Sequence, residues 1–190
     1  MTSIAAALKK WESKNEGVEI AQATEVKLYC QIPPIQRMDA TLAGLSSVEH
    51  LSLSTNQIDR ISGLRGLECL RTLSLGRNNI RSLAGLDDVA ETLEQLWVSY
   101  NQISSLDGLQ SLSKLETLYM SNNSLSWDEL DKLKDLPCLQ NVVFKGSLPT
   151  DGMDEAQYRV EILKRLPGLA KIDGAMVTPD ELSLAQAPAE

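Results

Sequence analysis

The single histidine of the chain, His50, stands two residues ahead of Ser52 in a segment that reads as a strand, so reach alone permits a serine–histidine pair. Nothing in the sequence completes it. No acid is placed to orient the ring, and no nucleophile elbow raises the serine. His50 is therefore expected as an ordinary rim histidine. Gly63, Gly66, Gly85 and Gly108 recur at turn positions, but no G-x-x-x-x-G-K-[ST] follows them, so they read as tight turns rather than a phosphate loop. Asp128, Glu129 and Asp131 lack the register of metal ligands and are expected to form a solvated face. Cys30, Cys69 and Cys138 are odd in number and dispersed, which fits neither a disulfide framework nor a zinc site. These residues predict no enzyme, and no dependence on a metal, a nucleotide or any other cofactor.

The side chains left with chemistry to offer are aromatic and basic. Trp97 and Tyr119 fall at matching positions of neighbouring segments, with Tyr100 and Arg77 beside them. Exposed Trp and Tyr next to Arg is the composition of a protein-binding hot spot. Small Ser and Gly residues nearby leave room for a partner. The residues expected to make the contact are Tyr29, Ser52, Ser74, Arg77, Trp97, Ser99, Tyr100, Tyr119, Asn122, Val143 and Lys145.

What positions them is a repeat. Four segments run Leu51-Ser-Leu53-Ser-Thr-Asn56-Gln-Ile58, Leu73-Ser-Leu75-Gly-Arg-Asn78-Asn-Ile80, Leu96-Trp-Val98-Ser-Tyr-Asn101-Gln-Ile103 and Leu118-Tyr-Met120-Ser-Asn-Asn123-Ser-Leu125. Their asparagines are 22, 23 and 22 residues apart, and an apolar residue (Val48, Leu70, Leu93, Leu115) precedes each segment by three. This is the L-x-x-L-x-L-x-x-N-x-L signature of leucine-rich repeats. The fold class is then α/β: a solenoid with short parallel strands on its concave face and helical caps at both ends. In L-x-L the leucines face inward and the middle residue faces out. No coil can bury its leucines alone, so stacking makes the core. The asparagine amide is expected to satisfy backbone groups of neighbouring coils.

The ends degenerate as caps do. Val26-Lys-Leu28-Tyr-Cys-Gln31 reads as a first strand with Gln at the Asn position, and Leu139 to Ser147 as a fifth coil with Ser there, 24 residues after Asn123. Ile4, Leu8 and Trp11 mark an N-terminal helix that covers the first coil; Tyr158, Ile162, Leu163 and Leu166 mark a second helix, ended by Pro167-Gly168. One domain spans 1–190: an N-terminal cap over 1–20, repeats over 21–150, a C-terminal cap over 151–177 and a terminal helix and tail over 178–190. Beyond Thr178 a short helix with little to pack and then a mobile tail are expected.

Composition sets the outer bounds. The chain has 190 residues, 43% of them hydrophobic but only 4% aromatic, so leucine and isoleucine must fill the core. A net charge of −8 is the opposite of a nucleic-acid footprint and unattractive to an anionic membrane surface; a protein is the expected partner. No apolar run reaches the length of a membrane span. With reduced thiols and no signal-peptide pattern, the expected location is intracellular.

Several stretches go beyond the generic repeat. Gln31-Ile-Pro-Pro-Ile35, Met38-Asp-Ala-Thr41, Leu73-Ser-Leu-Gly-Arg-Asn-Asn-Ile80, Glu94-Gln-Leu-Trp-Val-Ser-Tyr-Asn101 and Arg165-Leu-Pro-Gly-Leu-Ala-Lys-Ile-Asp-Gly174 resemble the leucine-rich-repeat light chains of axonemal outer-arm dynein, from about Ala6 to Val177. The resemblance implies a non-catalytic light chain in cilia and flagella, located in the cytoplasm, the cytoskeleton and the axoneme. It implies binding to the microtubule-binding domain at the stalk tip of a dynein heavy chain, with tubulin nearby and contacted indirectly, and tuning of motility. Two segments depart from the family: Gly146-Ser-Leu-Pro149 where Gly-Asn-Pro-Leu is usual, and a less charged tail after Val177. The alternative is a phosphatase-regulatory repeat scaffold with coils of similar length.

Overall fold

The computed structural model describes residues 1–187 and shows a stacked series of coils bounded by helices. Helix α1 (Ile4–Lys14) begins at Ser3, whose hydroxyl accepts from the Ala6 amide, and buries Ile4, Ala7 and Leu8 on the first coil. Six strands of three residues follow: β1 (Glu25–Lys27), β2 (His50–Ser52), β3 (Thr72–Ser74), β4 (Gln95–Trp97), β5 (Thr117–Tyr119) and β6 (Asn141–Val143). Helix α2 (Glu155–Arg165), strands β7 (Lys171–Ile172) and β8 (Ala175–Met176), and helix α3 (Pro179–Gln186) complete the chain. The eight strands form one sheet in sequence order, parallel from β1 to β7 and antiparallel between β7 and β8. Register places Val26, Leu51, Leu73, Leu96, Leu118 and Val142 in one inward column. Leu53, Leu75, Val98 and Met120 are fully buried, as the repeat requires.

The asparagines clamp coil to coil. Nδ2 of Asn78 donates to Leu75 O of its own coil (2.9 Å) and to Leu53 O of the preceding one (3.1 Å), while its Oδ1 accepts from the Ile58 amide at 2.9 Å. Asn56, Asn101 and Asn123 make the same triple contact. In the fifth coil the Ser147 hydroxyl donates to Met120 O and accepts from the Asn123 amide at 2.9 Å, doing with one oxygen part of what an amide does with two atoms. At the first coil Gln31 stands in the same register, but its Nε2 folds back to Tyr29 O at 3.1 Å. At Gly85 (φ 98°) an added Cβ would lie 2.5 Å from Ile61 O, so the turn between coils tolerates no side chain there.

Two expectations need correction. The acids after Ser126 are not uniformly solvated: Glu129, 18% exposed at its side chain, accepts from the Leu106 amide at 2.7 Å and pairs with Lys132. Burial alone would raise its carboxyl, but that amide and the ammonium hold it below its ordinary value. The stretch after Thr178 also packs. Thr178 and Glu181 form a reciprocal cap on α3, and Leu182 and Ala185 lie against the core. Arg159, 6% exposed, donates to Ile172 O, Met176 O and the Glu181 carboxylate, tying α3 to α2 and the hairpin. A single charged pair, unread in the sequence, converts a marginal helix into part of the cap. The expected mobile tail falls largely on residues 188–190, outside the described ones.

Candidate functional site

The concave face is built from the outward residues of β1 to β6. Ser74, Trp97, Tyr119 and Val143 stand in one row across adjacent strands. Trp97 and Tyr119 stack with centroids 5.8 Å apart and planes 17° off parallel. The Tyr119 hydroxyl accepts from Asn141 Nδ2 at 3.2 Å, fixing that ring from its far side. The Trp97 Nε1 hydrogen, in contrast, is shielded and has no acceptor among the described residues.

The next residues along each coil turn into the left-handed region: Thr55, Arg77, Tyr100 and Asn122 have φ between 54 and 58°. That turn swings their side chains onto the rim, where the Arg77 guanidinium lies 4.3 Å from the centre of the Tyr100 ring. Between row and rim is a hollow of about 310 Å³ lined by Arg77, Trp97, Ser99, Tyr100 and Tyr119, with Ser54, Thr55 and Gly76. Tyr100 is also a wall of a second hollow of about 680 Å³, which Asn122 and Lys145 share with the C-terminal cap residues Met153, Tyr158 and Asp173. Seven expected contact residues thus line two neighbouring hollows.

The other four lie differently. Tyr29, half exposed, stands at the β1 end, away from both hollows, and Val143 is half-buried beside Tyr119. Ser52 and Ser74 occupy the expected row but are 7% and 4% exposed, so they offer almost no surface of their own. Ser74 is covered because His50 and Trp97 close over it.

That cover is the part sequence reasoning missed. His50 Nε2 is 3.3 Å from Ser74 Oγ, and Nδ1 is 3.3 Å from Glu25 Oε1. The acid judged absent comes from β1, and the serine is one strand further on than Ser52. The signal was present: Glu25 and His50 each precede the first inward residue of their strand, so parallel register makes them neighbours. Carboxylate, imidazole and hydroxyl in line suggest nucleophilic chemistry, but Ser74 is buried at the end of β3. Its neighbour amide, Leu75 N–H, donates to Trp97 O and so is not available to an oxyanion. The chain instead fixes the imidazole, which meets Trp97 edge to face at 5.6 Å and 74°. The Glu25 carboxyl is held below its ordinary value first by Lys27 and further by His50.

Among the described residues no three His, Cys, Asp or Glu side chains are grouped to hold a metal ion, and no helix is long and apolar enough to cross a membrane.

Residues 38–80 match the family model described as leucine rich repeat, and residues 91–141 match the model of leucine rich repeats in two copies. Dynein axonemal light chain 1 of Homo sapiens is 57% identical over 178 residues, 93% of each chain. The protein of that name from Mus musculus is 56% identical over 182 residues, 95% of each, and that from Chlamydomonas reinhardtii 50% over 185 residues, 95% of this chain and 93% of its own. Among solved structures, internalin C2 from Listeria monocytogenes superimposes with a TM-score of 0.57 at 27% identity over 75% of this chain and 61% of that one. A chain of the Drosophila melanogaster SNF/U2A′ complex does so with 0.64 at 21% identity, over 79% and 90%, a likeness of fold alone.

Proposed function

Since the chain belongs to the dynein axonemal light chain 1 family of leucine-rich-repeat proteins, we propose that its concave face binds the stalk-tip microtubule-binding domain of a dynein heavy chain and thereby tunes ciliary or flagellar beating. A light chain of axonemal dynein acts by contact, and the concave face offers the aromatic area for it.

The observation that carries the reading is the Trp97–Tyr119 stack, bordered by the Arg77–Tyr100 pair and a hollow floored by small residues. Two rings held parallel lose little rotamer freedom on binding, so their buried area is retained as affinity. Among the described residues Arg77 and Lys145 form no ion pair, and they lie on the same surface, placed to meet carboxylates or carbonyls of the partner. A net charge of −8 opposes broad contact with another strongly acidic surface, so any effect on the microtubule passes mainly through the heavy chain. The phosphatase-scaffold alternative rests on coil length alone.

The test is titration of the purified stalk-tip domain against wild type, Trp97→Ala and Tyr119→Ala, each first shown to melt normally. Each substitution is expected to weaken binding by about 2 kcal/mol, about thirtyfold. Equal affinity of both folded variants and wild type would place the contact elsewhere.

A further inference from the structure

Arg37, Arg60 and Arg81 are exposed, and none is in an ion pair among the described residues, although acids outnumber bases 26 to 18 in the chain. All three leave the same bend of three successive coils. In each, the amide of an isoleucine (Ile35, Ile58, Ile80) donates to the asparagine Oδ1 of the following coil at 2.9–3.0 Å. Arg37 and Arg60 come two residues after that pinned amide, and Arg81 one residue after it. The backbone beneath the row is therefore rigid, and Arg81 is further held by Gln102, whose Oε1 accepts from its Nε at 3.0 Å. Its terminal amino groups make no hydrogen bond among the described residues.

Clefts run between these coils. One of about 320 Å³ lies between Arg37 and Arg60, and one of about 810 Å³ between Arg60 and Arg81, so Arg60 borders both and the two make a continuous track. Among the described residues Asp59 is the one acid lining either cleft, and it forms an ion pair with none of the three arginines. Three like charges side by side repel one another, and the single carboxylate of Asp59 offsets that cost only in part.

We propose that this rim is a docking site for an acidic polypeptide segment, rich in Asp or Glu, laid extended across the first three coils. The row crosses two coil steps, about 10 Å at strand spacing, which is more than one carboxylate spans and matches three or four extended residues. Guanidinium forks suit successive carboxylates, each able to take two parallel hydrogen bonds. The net charge of −8 around the row restricts it to a narrow segment, because a broad anionic surface would also meet the surrounding acids. The site lies on the loop rim, carries none of the residues of the aromatic groove, and stands or falls independently of the heavy-chain reading.

The test uses the full chain and a fluorescein-labelled deca-glutamate peptide, with deca-glutamine as control, at about 50 and about 300 mM salt. The glutamate peptide is expected to bind at low salt and weaken strongly at high salt, and the glutamine peptide not to bind. The triple variant Arg37→Gln, Arg60→Gln, Arg81→Gln should bind at least about tenfold more weakly while melting like wild type, and Arg60→Gln alone about threefold more weakly. Lys9→Gln with Lys10→Gln, on α1, should leave binding unchanged. Wild-type affinity in the arginine variants, an equal loss in the lysine variant, or no binding of the glutamate peptide at low salt would each overturn the proposal.

Discussion

Asn78 shows how much one side chain carries in this architecture. Buried to 7% exposure, it serves carbonyls of two coils and an amide of the preceding one. Alanine there leaves those three groups in a region that water does not reach. A loss of about 1–3 kcal/mol is expected, read as a lower urea midpoint with an unchanged slope. The neighbouring column predicts the opposite sign. Thr55 holds φ at 55°, a conformation that a β-branched residue adopts only under strain. Thr55→Asn should keep the turn and relieve about 0.5–1 kcal/mol, raising the melting temperature by about 1–4 °C. A lower melting temperature would show that Thr55 makes compensating contacts. Serine at 147 shows the tolerance of the column: a hydroxyl suffices where only a closing coil is to be held.

Among the elements, α3 depends most on a single charge. Its apolar face is small, with Leu182 and Ala185 only partly buried, while Leu184 is 60% exposed. What docks it is Glu181, whose carboxylate receives the Arg159 guanidinium and caps its own helix at Thr178. The Arg159 hydrogen bond, foremost, draws the Glu181 carboxyl down to about 2 from the usual 4.5. A carboxyl depressed on folding contributes stability that is complete above its unfolded value and lost as pH falls toward its folded one. The window is therefore pH 4.5 down to about 2. Over it wild type should lose on the order of 2 kcal/mol more than Glu181→Gln, seen as converging melting temperatures. At neutral pH, Glu181→Gln should increase amide exchange in α3 and leave β2 to β5 protected. Uniform loss of protection would mean that the pair supports the whole solenoid instead.

At the scale of the molecule, each coil shares its core with two others, so damage in the middle spreads. Leu75→Ala opens a cavity under β3 and its neighbours and should cost about 2–5 kcal/mol. We propose that the chain behaves as one domain, and calorimetry should then show a single transition with equal calorimetric and van't Hoff enthalpies, for wild type and Leu75→Ala alike. Two resolved transitions would divide the caps from the repeats. The coils themselves were legible in the sequence, because an inward leucine and a buried asparagine must recur at a fixed spacing wherever coils stack. The concave row followed from strand alternation, which determined that Trp97 and Tyr119 share a face. What lay outside that periodicity was decided in three dimensions. Parallel register joined Glu25, His50 and Ser74 across gaps of 25 and 24 residues, covering a serine that alternation alone had exposed. The cap brought Arg159 to Glu181 and turned a weakly apolar tail into a docked helix. Local patterning determines which way a side chain points. Which side chain closes over it depends on the coil stacked beside it, and only the tertiary structure holds that contact.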